Sequence, residues 1–126
     1  MTEATIQRAE QRYTPDATAP RRARAFVDEF LETVGAADLD EQADLLTSEL
    51  VADAVRHAPS QVVVRVTFDR TGLRVEISDD PGLVTNPEAG KVERELSRKH
   101  AEALASRWGS SFTRDITTTW FELEAA

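Results

Sequence analysis

Between Ala58 and Val62 the hydrophobic pattern of this chain changes its period, and that change fixes the class of fold. Upstream, Ala23, Phe26, Val27, Phe30, Leu31 and Val34 recur at the three-and-four spacing of one helix face. Leu46, Leu50, Val51, Ala54, Val55 and Ala58 do the same, falling on one half of a wheel turned by about 100° per residue. Downstream, Val62, Val64, Val66 and Phe68 alternate with Val63, Arg65 and Thr67. Leu73, Val75 and Ile77 alternate likewise with Arg74, Glu76 and Ser78, so both runs read as strands. Gly35 suits the end of the first helix, Asp38 or Asp40 can cap the second, and Pro59 stops it. Asp69 to Gly72 supplies the turn between the strands.

Asp79-Asp-Pro-Gly82 breaks the sheet, and low apolar content to about Gly90 reads as a loop. Val92, Leu96, Ala103, Leu104 and Trp108 predict a further helix closed by Gly109. Phe112 and then Thr117 to Leu123 predict a last hairpin around Arg114 and Asp115. Met1 to about Pro20 is polar and weakly periodic, a tail or an edge strand. Residues 1–12 are expected to be a flexible segment, and 13–126 a single domain, the size that one core supports. The expected class is α+β: a two-layer α/β sandwich, its mixed sheet covered on one face by helices.

Charge and composition remove several functions. The net charge is −8 and no Lys/Arg stripe forms, so phosphate backbones are repelled and direct nucleic-acid binding is not expected. The absence of cysteine excludes disulfides and thiolate metal sites and fits a reducing cytoplasm. No apolar run reaches the roughly 18 residues of a membrane span, and Met1 to Thr5 does not open a signal peptide. A cytoplasmic protein without a membrane partner is the expectation. His57 and His100 lack a third ligand at metal spacing, so zinc is not expected.

Glu49 and Asp53 stand four residues apart, on the polar edge of the second helix. Like charges at that spacing weaken a helix by a few tenths of a kcal/mol (roughly 0.2–0.5), so local stability does not ask for them. A solvated acidic face is one account of the pair; phosphoryl-transfer chemistry is the other. The segment Glu49-Leu-Val-Ala-Asp53-Ala-Val-Arg-His-Ala58 resembles the E-L-V-x-N-A-V-R-H-A box of the GHKL (Bergerat-fold, histidine-kinase-like) ATPases. It is most similar to the small actinobacterial-type anti-sigma-factor serine/threonine kinases. Leu104 to Gly109 and Thr118 to Leu123 look like that family's closing segments, and the resemblance spans roughly Tyr13 to Leu123.

The resemblance implies the same sandwich and an ATP site with Mg²⁺. Glu49 would be the catalytic base, and Asp53 stands where the family has a metal-ligating asparagine. Asp79 would receive the adenine amino group, with Asp80 as its rival. Gly82 would let the backbone approach the base, and Thr118 matches a threonine near the phosphates. The match fails at the second glycine box, because Arg94 to His100 contains no glycine. Lys91, Arg94, Arg98 and Lys99 either pair with phosphates there or form a solvated helix face.

The function implied is a regulator that sequesters a sigma factor and phosphorylates a serine on an antagonist protein, with a homodimer as the family precedent. The alternative is a non-catalytic module on the same fold, binding its partner with weak or lost nucleotide affinity.

Overall fold

The computed structural model describes residues 6–57, 61–79, 99, 102–113 and 116–125. Strand β1 (Gln7–Tyr13) is followed by helix α1 (Ala19–Val34), a 3-10 turn (Ala37–Leu39) and helix α2 (Asp40–His57). Strands β2 (Val62–Asp69), β3 (Gly72–Asp79), β4 (Arg107–Thr113) and β5 (Ile116–Glu124) complete the order.

Helix α1 starts where Asp16 accepts hydrogen bonds from the amide and hydroxyl of Thr18, with a proline in its first turn. It ends at Gly35, whose φ of 76° is left-handed and whose amide bonds back to the last turn. Its buried residues, Ala19, Ala23, Val27, Phe30 and Leu31, form the stripe that the sequence spacing predicts. They pack on α2 and, below, on β1 and β2, whereas α2 lies chiefly over β3.

The five strands form one sheet in the order β1-β2-β3-β5-β4, and every neighbouring pair is antiparallel. The two-layer sandwich is therefore as expected, but the sheet is antiparallel throughout its described strands rather than mixed. One face carries Val62, Val64, Val66, Leu73, Val75, Ile77, Phe121 and Leu123 into the core beneath the helices. The outer face is a ladder of ions. Arg65 bonds Glu10 at 2.6 Å, Arg74 bonds Glu76 at 2.9 Å and Glu122 at 2.8 Å, and Arg107 bonds Glu122 at 2.5 Å. The Arg74 guanidinium also stacks 4.1 Å from the centre of the Trp120 ring.

Two expectations need correction. Of the supposed flexible segment 1–12, residues 7–12 are edge strand β1, paired with β2 from Gln7–Phe68 to Tyr13–Val62. Their charged side chains bear no hydrophobic alternation because an edge strand with one wet face needs little. The helix expected to run to Trp108 stops earlier: residues 102–104 are helical, and Trp108 and Gly109 already belong to β4. Trp108 pairs with Phe121, and Gly109 lies under the Trp120 ring, where a side chain would come within 2.8 Å of the indole. The rest of the expected helix, from Val92, falls mostly outside the described residues, as do Arg114 and Asp115 of the final turn.

Thr47 of α2 is fully buried, and its hydroxyl has no hydrogen-bond partner among the described residues. A desolvated, unmet hydroxyl is a cost that a shape-matched apolar residue removes. Thr47→Val is therefore expected to raise stability by about 1 kcal/mol, read as a higher urea midpoint at unchanged slope. A lower midpoint would show that the hydroxyl is bonded after all.

No described helix is long and apolar enough to cross a membrane.

Candidate functional site

Chain connectivity brings the C-terminal end of α2, which carries Asp53, toward one end of the sheet. Only residues 58–61 separate His57, the last residue of α2, from Val62, the first of β2. Five peptide steps reach at most about 18 Å, so the C-terminal turns of α2 sit near the start of β2. Val62 pairs with Asp79 on one side and with Tyr13 on the other. Asp79 is thus the last residue of β3 at the same end of the molecule as Asp53.

The face is set as well. Asp79 shares strand parity with Ile77, Val75 and Leu73, all buried under the helices, and is itself only 7% exposed. A carboxylate buried to that degree depends on polar partners to offset its lost hydration. Along α2, Ala43, Leu46, Leu50, Val51 and Ala54 form the buried stripe. At about 100° per residue, Glu49 and Asp53 fall on one margin of that stripe, and Asp44 and Ser48 on the other. Ser48 accepts a hydrogen bond from Arg24 of α1 at 3.3 Å, which identifies its margin as the one against α1. Glu49 and Asp53 therefore occupy the margin away from α1. Both are half-buried rather than fully solvated.

Thr118 lies elsewhere. It pairs with Ser78, and the two hydroxyls are 2.9 Å apart on the outer face of the sheet. Asp79 is paired directly with Thr117, and side chains alternate along a strand, so Thr117 shares Asp79's face and Thr118 does not. The signal was present in the sequence: Thr117 has the same parity as Phe121 and Leu123, the apolar residues of β5. Thr118, expected as a phosphate neighbour, thus stands against Ser78, and Thr117 stands on the face of Asp79.

Asp80, Gly82, Gly90 and the Arg94–His100 segment lie outside the described residues, apart from Lys99, which is exposed. A shallow groove of about 170 Å³ lined by Thr67, Asp69, Arg74, Arg107 and Glu122 opens at the other end of β3 and on the outer face, remote from Asp79.

As ligands, these side chains suit the chemistry of a nucleotide and a hard cation. Mg²⁺ takes one or two protein carboxylates and completes its shell with water and phosphate oxygens, and among the described residues no group of three or more His, Asp or Glu side chains is placed to hold a metal ion by itself. A carboxylate at a strand end can accept the amino hydrogens of adenine.

No protein-family model matches the sequence, and no curated protein matches it. Among solved structures, the chain is similar to the crystal structure of the RsbU and RsbW domains of a protein from Mycobacterium tuberculosis, with a TM-score of 0.75 and 21% identity. The match covers 94% of this chain and 32% of that one, so the chain spans about a third of the length of the protein it resembles. At this identity the likeness is one of fold, and the fold shared is the two-layer α/β sandwich described above.

Proposed function

We propose that the chain is an ATP-binding regulator of the anti-sigma-factor serine/threonine kinase type, acting on a transcription factor through protein–protein contact. The observation that supports this reading is that Asp53, near the C-terminal end of α2, and Asp79, the buried last residue of β3, lie toward the same end of a two-layer sandwich, with Glu49 one turn before Asp53 on the same helix margin. In this reading Asp79 accepts the adenine amino group, with Thr117 beside it in place of Thr118. Asp53 is the Mg²⁺ ligand. The bound ion would neutralise phosphate charge. Glu49 orients the serine hydroxyl of a protein substrate and takes its proton as the oxygen receives the γ-phosphoryl group and ADP departs. The partners proposed are a sigma factor and a serine-bearing antagonist, with a cytoplasmic setting and a second copy of this chain in a homodimer.

Position 53 favours a second reading, a partner-binding module without catalysis. An aspartate there adds a negative charge near the triphosphate and removes an amide donor. At about 4 Å and an effective dielectric near 20, one such pair costs on the order of 4 kcal/mol before a metal offsets it.

Titration calorimetry with ATP at several Mg²⁺ concentrations separates the two. Wild type is expected to bind weakly, with a steep Mg²⁺ dependence. Asp53→Asn is expected to bind tighter, by about tenfold or more at low Mg²⁺, a difference of about 1.4 kcal/mol. Silence from both proteins at every Mg²⁺ concentration would leave the binding module standing and remove the kinase.

A further inference from the structure

The margin of α2 that faces α1 holds a second pair of carboxylates, on the flank opposite Glu49 and Asp53. Asp28 of α1 and Asp44 of α2 each lie one helical turn along from the Arg24–Ser48 hydrogen bond that joins the same two helices, and the two carboxylates meet there. Oδ1 of each is closed off from solvent and has no hydrogen-bond donor among the described residues. Two carboxylate oxygens at that separation have no hydrogen between them unless one group is protonated. The surroundings do little to support two negative charges. From α1, Arg24 is near, but its guanidinium donates to the Ser48 hydroxyl. From α2, Asp40 contributes a further negative charge one turn away. Asp38, in the 3-10 turn that leads into α2, is exposed to solvent.

We propose that Asp28 and Asp44 share a single proton that fastens α1 to α2, and that losing it loosens this helix pair, making the packing of the sandwich sensitive to pH. The electrostatics agree. Burial first, then the hydrogen bond and charge of Asp28 and the charge of Asp40, push the Asp44 carboxyl up to about 7 against the opposing pull of Arg24. The folded chain therefore keeps a proton that the unfolded chain gives up near 3.8. Stability from this pair is fullest below that lower value, declines as pH rises between the two, and is lost above about 7.

Two measurements test the shared proton. In wild type, carboxyl-carbon NMR should show one of the two aspartates titrating close to neutrality. Both titrating below about pH 5 would overturn the proposal, since that is ordinary aspartate behaviour. In urea unfolding at about pH 5.5 and 8, wild type is compared with Asp44→Asn, whose amide supplies a permanent donor to Asp28. A full effect over the 1.5 or so pH units below the upper value would change the ratio of unfolding constants roughly 30-fold. Solvent screening of a partly exposed pair reduces this to about tenfold. The variant is expected to gain on wild type by that factor between the two pH values. A ratio that does not change with pH would overturn the proposal, and the NMR titration stands whether or not the variant folds well. Neither readout depends on nucleotide binding, so the result is separate from that of the proposed kinase.

Discussion

Glu49→Gln is expected to slow phosphoryl transfer to a serine-bearing protein substrate by about 10²–10⁴-fold while leaving ATP affinity within a few-fold of wild type. Glutamine keeps the length and shape of the side chain and can still hydrogen-bond a hydroxyl, but it cannot take the proton. What remains in the variant is positioning and the electrostatic support of the phosphates, which provide most of the acceleration in this class of chemistry. Glu49 is half-buried, and under the proposed function it is this partly exposed carboxylate that would meet the substrate hydroxyl. The measurement is single-turnover transfer of the γ-phosphoryl group, with ATP binding followed in parallel. Equal transfer rates in both proteins would remove Glu49 as base. Loss of binding in step with loss of rate would make it a structural or metal-positioning residue instead.

Gly72→Ala is expected to destabilise the fold by about 3–4 kcal/mol, a lowering of Tm by roughly 10 °C or more in a domain of this size. Two separate effects combine. The φ of Gly72 is 139°, a conformation that costs a residue with a side chain about 1–3 kcal/mol. An added Cβ would also sit 2.1 Å from the carbonyl oxygen of Leu123 and 2.8 Å from the amide of Ala125. These are backbone atoms of the neighbouring strand and its continuation, so relief requires moving β5 away from β3 where Gly72 pairs with Glu124. Gly35 provides the control. It is also left-handed, at 76°, but an added Cβ meets nothing within 4 Å. Gly35→Ala should therefore show the conformational cost alone, about 1–2 kcal/mol. Thermal unfolding of the two variants separates clash from strain. Equal losses would mean that the β3–β5 edge yields easily.

The position-53 departure and the Asp28–Asp44 pair place unfavourable charge on both flanks of one helix. The core offsets this. Leu46, Val51 and Thr47 of α2 are fully enclosed between α1 and the sheet, together with Leu31, Val64, Val75 and Phe121. Burial on this scale, worth about 25 cal/mol per Å² of apolar surface, lets the helix margins carry charges that local stability would reject.

The sequence by itself determined the helices α1 and α2, the β2–β3 hairpin and the pairing of apolar faces between them. These depend on local periodicity and on punctuation by Gly35, Pro59 and Gly72, all readable along the chain. It also set apart Glu49 and Asp53 as an acidic pair at i, i+4, while site roles for them and for Asp79 came from the resemblance to the GHKL box and not from local pattern. Tertiary structure alone decided the rest. The boundary of β4 at Arg107 is set by Trp108 meeting Phe121 and by Gly109 lying beneath Trp120, and both contacts are made across the sheet. Residues 7–12 became a strand because β2 offered an unpaired edge, not because of their own pattern. The three threonines from 117 to 119 look alike in sequence, and only the register with β3 puts Thr117 beside Asp79 and Thr118 against Ser78. The meeting of Asp28 with Asp44 was likewise invisible, since residues 16 apart in the chain become neighbours only when two helices pack side by side.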